Sequence, residues 1–113
     1  MLNQTVLVGR ITTNPELKTL NNDKKGLDIT LAVQRSYKNE EGQYETDFIT
    51  CKVWNAVAEN VAEYCKKGDI VGVKGRLQTR TEEDEKGNKR YIMEVIAEKV
   101  TFLSSRKEEK EEE

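Results

Sequence analysis

Histidine is absent from the 113 residues. Acid–base or nucleophilic chemistry would therefore fall to carboxylates, lysine or cysteine. The carboxylates lie in loop and terminal runs, such as Glu82, Glu83, Asp84 and Glu85, rather than in converging pairs. No glycine-rich phosphate loop is present either. The two cysteines, Cys51 and Cys65, are neither closely spaced nor accompanied by histidine. That excludes a disulfide framework or a zinc site of familiar spacing, and both are expected to be small core residues. We expect no enzyme, no metal and no cofactor. Apolar residues make up 35% of the chain, below the roughly 45–50% of an average globular protein. No apolar run approaches the roughly 20 residues a bilayer requires. Residues 1–9 lack a charged segment followed by a long apolar one. The expectation is a thin core helped by oligomerisation, no membrane and a cytoplasmic location.

Charge is what the chain has in abundance, with 35% of residues charged and a net charge of -2. Residues 104–113 hold three basic and five acidic side chains, so residues 1–103 are neutral with 16 of each. Attraction to a polyanion would have to come from local clustering. The length suits one domain. We place it at residues 1–103, with 104–113 as a disordered charged tail.

Along the chain, Val6–Val8 is a short β-branched run ended by Gly9-Arg10 and broken by Asn14-Pro15. After a polar turn at 19–26, Leu27–Arg35 alternates, with Ile29, Leu31 and Val33 on one face. A long hairpin connection is predicted over Tyr37–Thr46. Asp47–Asn55 then alternates again, with Ile49, Cys51 and Val53 on one face and Phe48, Thr50, Lys52 and Trp54 on the other. Asn55 is predicted to cap a short helix carrying Val57 and Val61, with Lys66 and Lys67 in its last turn and Gly68 at the position beyond it. Ile70–Arg80 reads as a strand with Val71, Val73 and Leu77 opposite Lys74, Arg76, Gln78 and Arg80. A charged loop over Thr81–Lys89 leads to a final strand, Tyr91–Leu103. Five strands with a helix between the third and fourth is the order of the OB-fold, an all-β, five-stranded Greek-key barrel.

Phe48, Lys52 and Trp54 share the face opposite the apolar one. Exposed rings of this kind serve as stacking platforms for nucleobases or as contacts with another subunit. Both readings fit the alternation. Tyr37 is placed to extend the track. Arg10, Arg35, Lys38, Arg76 and Arg80 fall on strand ends or polar faces, and Lys89 lies in the last hairpin, beside acids that make that loop a poor phosphate site.

The runs VLVGRITTNPEL (6–17) and ITLAVQRSYKNEEGQYETDFITCKVWNAVAENVAEYCKKGDIVGVKGRLQTR (29–80) resemble the bacterial and phage single-stranded DNA-binding protein family. The likeness extends over nearly all of residues 1–103. It rests on the combination of GR-x-T-x-NPEL, the aromatic-bearing third strand, the KKG turn and GRLQTR. It implies an OB-fold that assembles as a homotetramer and wraps single-stranded DNA without reading its sequence. Tyr37, Phe48 and Trp54 would stack on bases, and Lys52, Arg10, Arg35, Lys38, Arg76, Arg80 and Lys89 would neutralise phosphate. The implied role is protection of single strands in replication, recombination, repair or DNA uptake, in the cytoplasm at the nucleoid. The alternatives are an OB-fold adaptor docking another replication protein, or an RNA-binding module. The chain departs from the family pattern twice. Thr81 and Glu82 stand where a further aromatic is common, predicting a shorter track. The sequence ends in Glu111-Glu112-Glu113 rather than a Pro-Phe acidic tip, so recruitment of replication enzymes through the C-terminus is not expected.

Overall fold

The inward-facing side chains of the alternating segments dictate the architecture. In the computed structural model, which describes residues 1–105, they meet in one core. The elements are β1 (Thr5–Ile11), β2 (Lys18–Thr19), a 3-10 turn (Asn21–Asp23), β3 (Lys25–Lys38), β4 (Tyr44–Trp54), α1 (Asn55–Tyr64), β5 (Ile70–Glu83) and β6 (Lys89–Ser104). The sheet runs β1-β5-β6-β4-β3-β2, and β1 also pairs with β3, closing a barrel of five strands. All pairings are antiparallel except β4 with β6. The expected OB-fold is the one found, with the two-residue β2 as an edge addition to β3.

Ile11, Ile29, Leu31, Cys51, Val53, Val71 and Val73 are fully buried inside the barrel, and Ala58 and Val61 of α1 pack against them. Removing these aliphatic surfaces from water is the main favourable contribution to folding. Both cysteines belong to this core as expected. Burial pushes the Cys51 thiol up to about 11 and raises that of Cys65, with Asp69 adding to the effect. Neither sulfur is a thiolate near neutral pH.

The strands are longer than the alternation suggested, because β3–β4 and β5–β6 continue as two-stranded arms past the barrel, where neither face meets the core. Tight turns close the arms where long loops were expected. Asn39 Oδ1 accepts hydrogen bonds from the N–H groups of Glu41 (2.9 Å) and Gln43 (3.0 Å). Asp84 Oδ1 does the same for Lys86 (2.9 Å) and Asn88 (2.8 Å), which lowers the Asp84 pKa. Leu77 keeps the parity of Val71 and Val73 but is 41% exposed.

The helix differs from expectation at both ends. Asn55 makes no capping hydrogen bond. It sits inside α1 with φ 56, a left-handed turn that Asn tolerates. The helix stops at Tyr64, Cys65 is extended, and Lys66 and Lys67 lie in the following turn. Gly68, at φ 95, supplies the left-handed residue of that turn rather than the helix C′ position. Its N–H donates to the Ile11 carbonyl (2.8 Å), and the Lys67 N–H donates to Asn14 Oδ1 (2.9 Å). Contacts with the end of β1 thus win over helix extension. At the other terminus Ser104 pairs with Ile70 in the sheet, so the predicted tail loses its first residue. Residues 106–113 of that tail lie outside the described residues.

Candidate nucleic-acid interface

Register places the candidate side chains in rows across the outer wall of the barrel. Trp54 stands opposite Gly26, Lys52 opposite Asp28, Thr50 opposite Thr30, and Phe48 opposite Ala32. Each large ring therefore faces a small residue on the neighbouring strand. Phe48 is 69% exposed. Trp54 is only partly exposed, because its indole lies against the β3 backbone. A Cβ built on Gly26 would fall 2.6 Å from the ring carbons. Lys24 carries its ammonium 4.2 Å from the ring centroid, a cation–π contact. Between the two rings, the Thr30 and Thr50 hydroxyls lie 3.2 Å apart.

The rows continue across the neighbouring strands. Lys52 is in register with Ile96 of β6, which is in register with Arg76 of β5. On the other side, Ala32 is in register with Arg10 of β1. Arg80 has the parity of Arg76 and faces Ile92. Phe48, Lys52, Trp54, Arg10, Arg76 and Arg80 thus lie on one outer face. Two hollows flank its centre. One, of about 470 Å³, is lined by Gly26, Asp28, Lys52 and Trp54 together with Asn14 and Glu16. The other, of about 650 Å³, is lined by Phe48, Thr50, Lys52, Leu77, Arg80 and Met93 among others. Lys52 and Asp28 line both, and their ion pair (3.4 Å) forms the ridge between them.

The remaining expected residues are not brought to this face. Arg35 shares the parity of Ile29, Leu31 and Val33. It lies on the side opposite Phe48, where it pairs with Asp47 (2.9 Å) and Glu45. The hydrogen bond from Arg35 holds the Asp47 carboxyl below the usual range. Tyr37, 64% exposed, and Lys38 lie on the β3–β4 arm, with the Lys38 ammonium 5.7 Å from the Tyr44 centroid. Lys89 begins β6 on the other arm, opposite Glu83. Arg10, although on the outer face, donates to the Gly68 carbonyl (2.7 Å), so its guanidinium braces the turn after α1.

Acids hold several of the cations. Arg80 pairs with Glu94 and Glu82, and Glu82 also meets Arg90 (3.4 Å). Hydrogen bonds donated by Arg80 to Glu94 and Glu82 raise the Arg80 pKa, and the same pairing lowers that of Glu82. Arg76 donates to Gln78 Oε1 (2.8 Å). The face is therefore aromatic and hydroxyl-rich, with charges balanced in place. It offers stacking surface first and paired cations second.

Exposed apolar residues of the β5–β6 arm also adjoin this face and were not among the expected site residues. Tyr91 (78% exposed) and Met93 stand opposite Thr81 and Thr79 on the β5–β6 arm. The spacing of Tyr91, Met93 and Val95 at every second position was the available signal. It was hidden by reading Tyr91–Leu103 as a plain closing strand.

The comparisons with known proteins bear on this geometry. Residues 2–103 match the model of the single-strand binding protein family. The chain is 46% identical over 110 residues to single-stranded DNA-binding protein B of Bacillus subtilis, covering 97% of each chain. It is 49% identical over 106 residues to the single-stranded DNA-binding protein of Halalkalibacterium halodurans, covering 94% of this chain and 63% of that one. It thus spans nearly the whole of the first relative and less than two thirds of the second. Among solved structures, it resembles the Plasmodium falciparum SSB in complex with ssDNA. There the TM-score is 0.81 at 27% identity, covering 92% of this chain and 96% of that one.

Proposed function

The chain belongs to the single-strand binding protein family, and on that premise we propose how it holds single-stranded DNA. It is a non-catalytic OB-fold protein whose ligand lies along the outer face of β3 and β4. Bases stack on Phe48 and Trp54, phosphates meet Lys52, Arg76 and Arg80, and Tyr37 and Lys38 extend the track onto the arm. The observation that carries this reading is the common outward face of Phe48, Lys52 and Trp54. Six residues of strand separate the two rings, about 20 Å, enough for several nucleotides. Every base has a π-face, so such a platform grips a strand without reading its sequence. The role that follows is protection of single strands in replication, recombination, repair or uptake. Its setting would be the bacterial cytoplasm at the nucleoid. No helix of the described residues is long and apolar enough to cross a membrane.

Assembly as a homotetramer belongs to the same proposal. Val6 and Val8 are exposed on the outer face of β1. Among the described residues Thr5–Val8 pair only with β5, leaving one strand edge open to another copy. A light-scattering mass four times that of the chain is the expected result.

Trp54 is the single tryptophan among four tyrosines, so fluorescence excited selectively in tryptophan reports on the proposed site. Titration with oligo(dT) at low salt should quench it saturably. Absence of quenching and of binding would remove the stacking reading. Docking of a protein partner with no response to oligo(dT) would favour an adaptor. Tighter quenching by oligo(U) would favour RNA.

A further inference from the structure

Both faces of the Trp54 ring are covered in the free chain. On one side lies the Gly26 backbone, so close that a Cβ built there would fall 2.6 Å from the ring carbons, and neither an ammonium nor a base fits between. The Lys24 ammonium, 4.2 Å from the ring centroid, therefore covers the other side. Lys24 is extended (φ -74, ψ 127) and stands two residues before Gly26, so both address the same face. Its backbone is fixed, because its carbonyl accepts from the Leu20 N–H (2.7 Å) and the next residue, Lys25, pairs with Thr19 in the sheet. The exposed side chain is held far less firmly. Among the described residues an acid pairs with Lys25 (Glu59, 2.9 Å) and with Lys52 (Asp28, 3.4 Å), and none pairs with Lys24.

Resting on the single-strand reading above, we propose that Lys24 is a side-chain lid on Trp54, which leaves the ring for a phosphate when a base stacks there. The Gly26 side is closed by backbone, so a base reaches the face of the indole only where Lys24 now sits. A cation–π contact at an exposed site is weaker than a stacked base. The base therefore wins the ring. The displaced ammonium rides on a flexible four-carbon stem with three donors, and the incoming nucleotide brings a phosphate with it. Lys24 thus joins Lys52, Arg76 and Arg80 as a phosphate ligand. It differs from Arg80, which has to part from Glu82 and Glu94 before it can meet a phosphate. Lys24 gives up a ring that the ligand itself takes over. One cation would serve the free state by shielding the indole and the bound state by neutralising charge.

Two readouts separate the lid from the phosphate contact. Acrylamide, a neutral quencher, reads access to the indole in the free protein, and the logarithmic salt dependence of oligo(dT) binding counts phosphate contacts. Lys24→Ala should raise acrylamide quenching of Trp54 and flatten the salt dependence by about 0.7, the share of one phosphate on a single strand. Lys24→Met keeps the length of the side chain without its charge, so it should flatten the salt dependence equally. Lys25→Ala, one residue on but paired with Glu59, should change neither. Unchanged quenching in Lys24→Ala overturns the lid. An unchanged salt slope in both Lys24 variants, or an equal loss in Lys25→Ala, overturns the transfer to a phosphate. Either result, with oligo(dT) still bound, leaves the single-strand reading standing. Failure of the wild type to bind oligo(dT) overturns both.

Discussion

The two ends of the outer face use the same device, a large ring opposite a small residue, and differ in how the ring is held. Phe48 projects over Ala32 and is 69% exposed. Trp54 rests on Gly26 beneath the Lys24 ammonium. The first ring gains little from folding and is available for a ligand. The second is part of the fold as well as of the proposed track, and a base that stacks on its Lys24 side has to move that cation. Exposure alone would rank Phe48 far above Trp54 as a contact. The geometry makes Trp54 the preorganised one, since its orientation is set before the ligand arrives.

The contrast is broken most directly by deletion. Trp54→Ala should cost about 1–3 kcal/mol in single-strand affinity and also lower Tm, because it strips the cover from Gly26. Phe48→Ala should cost a similar amount of affinity with Tm unchanged. Equal losses of Tm in the two variants would erase the distinction. Gly26→Ala tests the seat itself. The added methyl, 2.6 Å from the indole carbons, should lift the ring, shift Trp54 emission and destabilise the fold by about 1–3 kcal/mol, as overpacking does. An unshifted spectrum would mean that the ring is not seated on β3. Lys52→Ala should flatten the logarithmic salt dependence of binding by about 0.7 if it meets one phosphate of a single strand. An unchanged slope would assign Lys52 to Asp28 alone.

The smallest effect concerns acid. Arg35 depresses the Asp47 pKa. The stability this pair contributes is present above the unfolded carboxylate range, near pH 4, and lost as pH falls through the folded value. Asp47 is next to Phe48 in sequence, so amide exchange should accelerate first at the Phe48 end of the ribbon on acidification. Acceleration spread evenly along β3 and β4 would argue against a local role for the pair.

Much of the barrel was legible because inward positions alternate where strands are half-buried. Ile29, Leu31 and Val33 and then Ile49, Cys51 and Val53 carry that pattern, and it also gave the outward face of Phe48, Lys52 and Trp54. The arms were not legible as strands. Past the barrel neither face meets a core, and only backbone pairing and the turns at Asn39 and Asp84 keep them extended. The end of the helix was misjudged for a related reason. Lys66, Lys67 and Gly68 form a plausible helix terminus in isolation, and a partner 53 or more residues away in sequence, the end of β1, claims that segment. Arg35 was grouped with the other cations by charge, although its parity with Val33 already placed it on the other side.

By itself the sequence determined the fold class, the core positions and which side of the ring-bearing strand faces outward, since the last two follow from a period of two along each segment and the first from the order of those segments along the chain. Only the tertiary structure decided what stands across from each ring and each cation: Gly26 under Trp54, Asp28 beside Lys52, Glu94 against Arg80. Cross-strand register depends on turns and closures distant in sequence. A residue's own strand carries its direction, and its neighbour arrives only when the barrel closes.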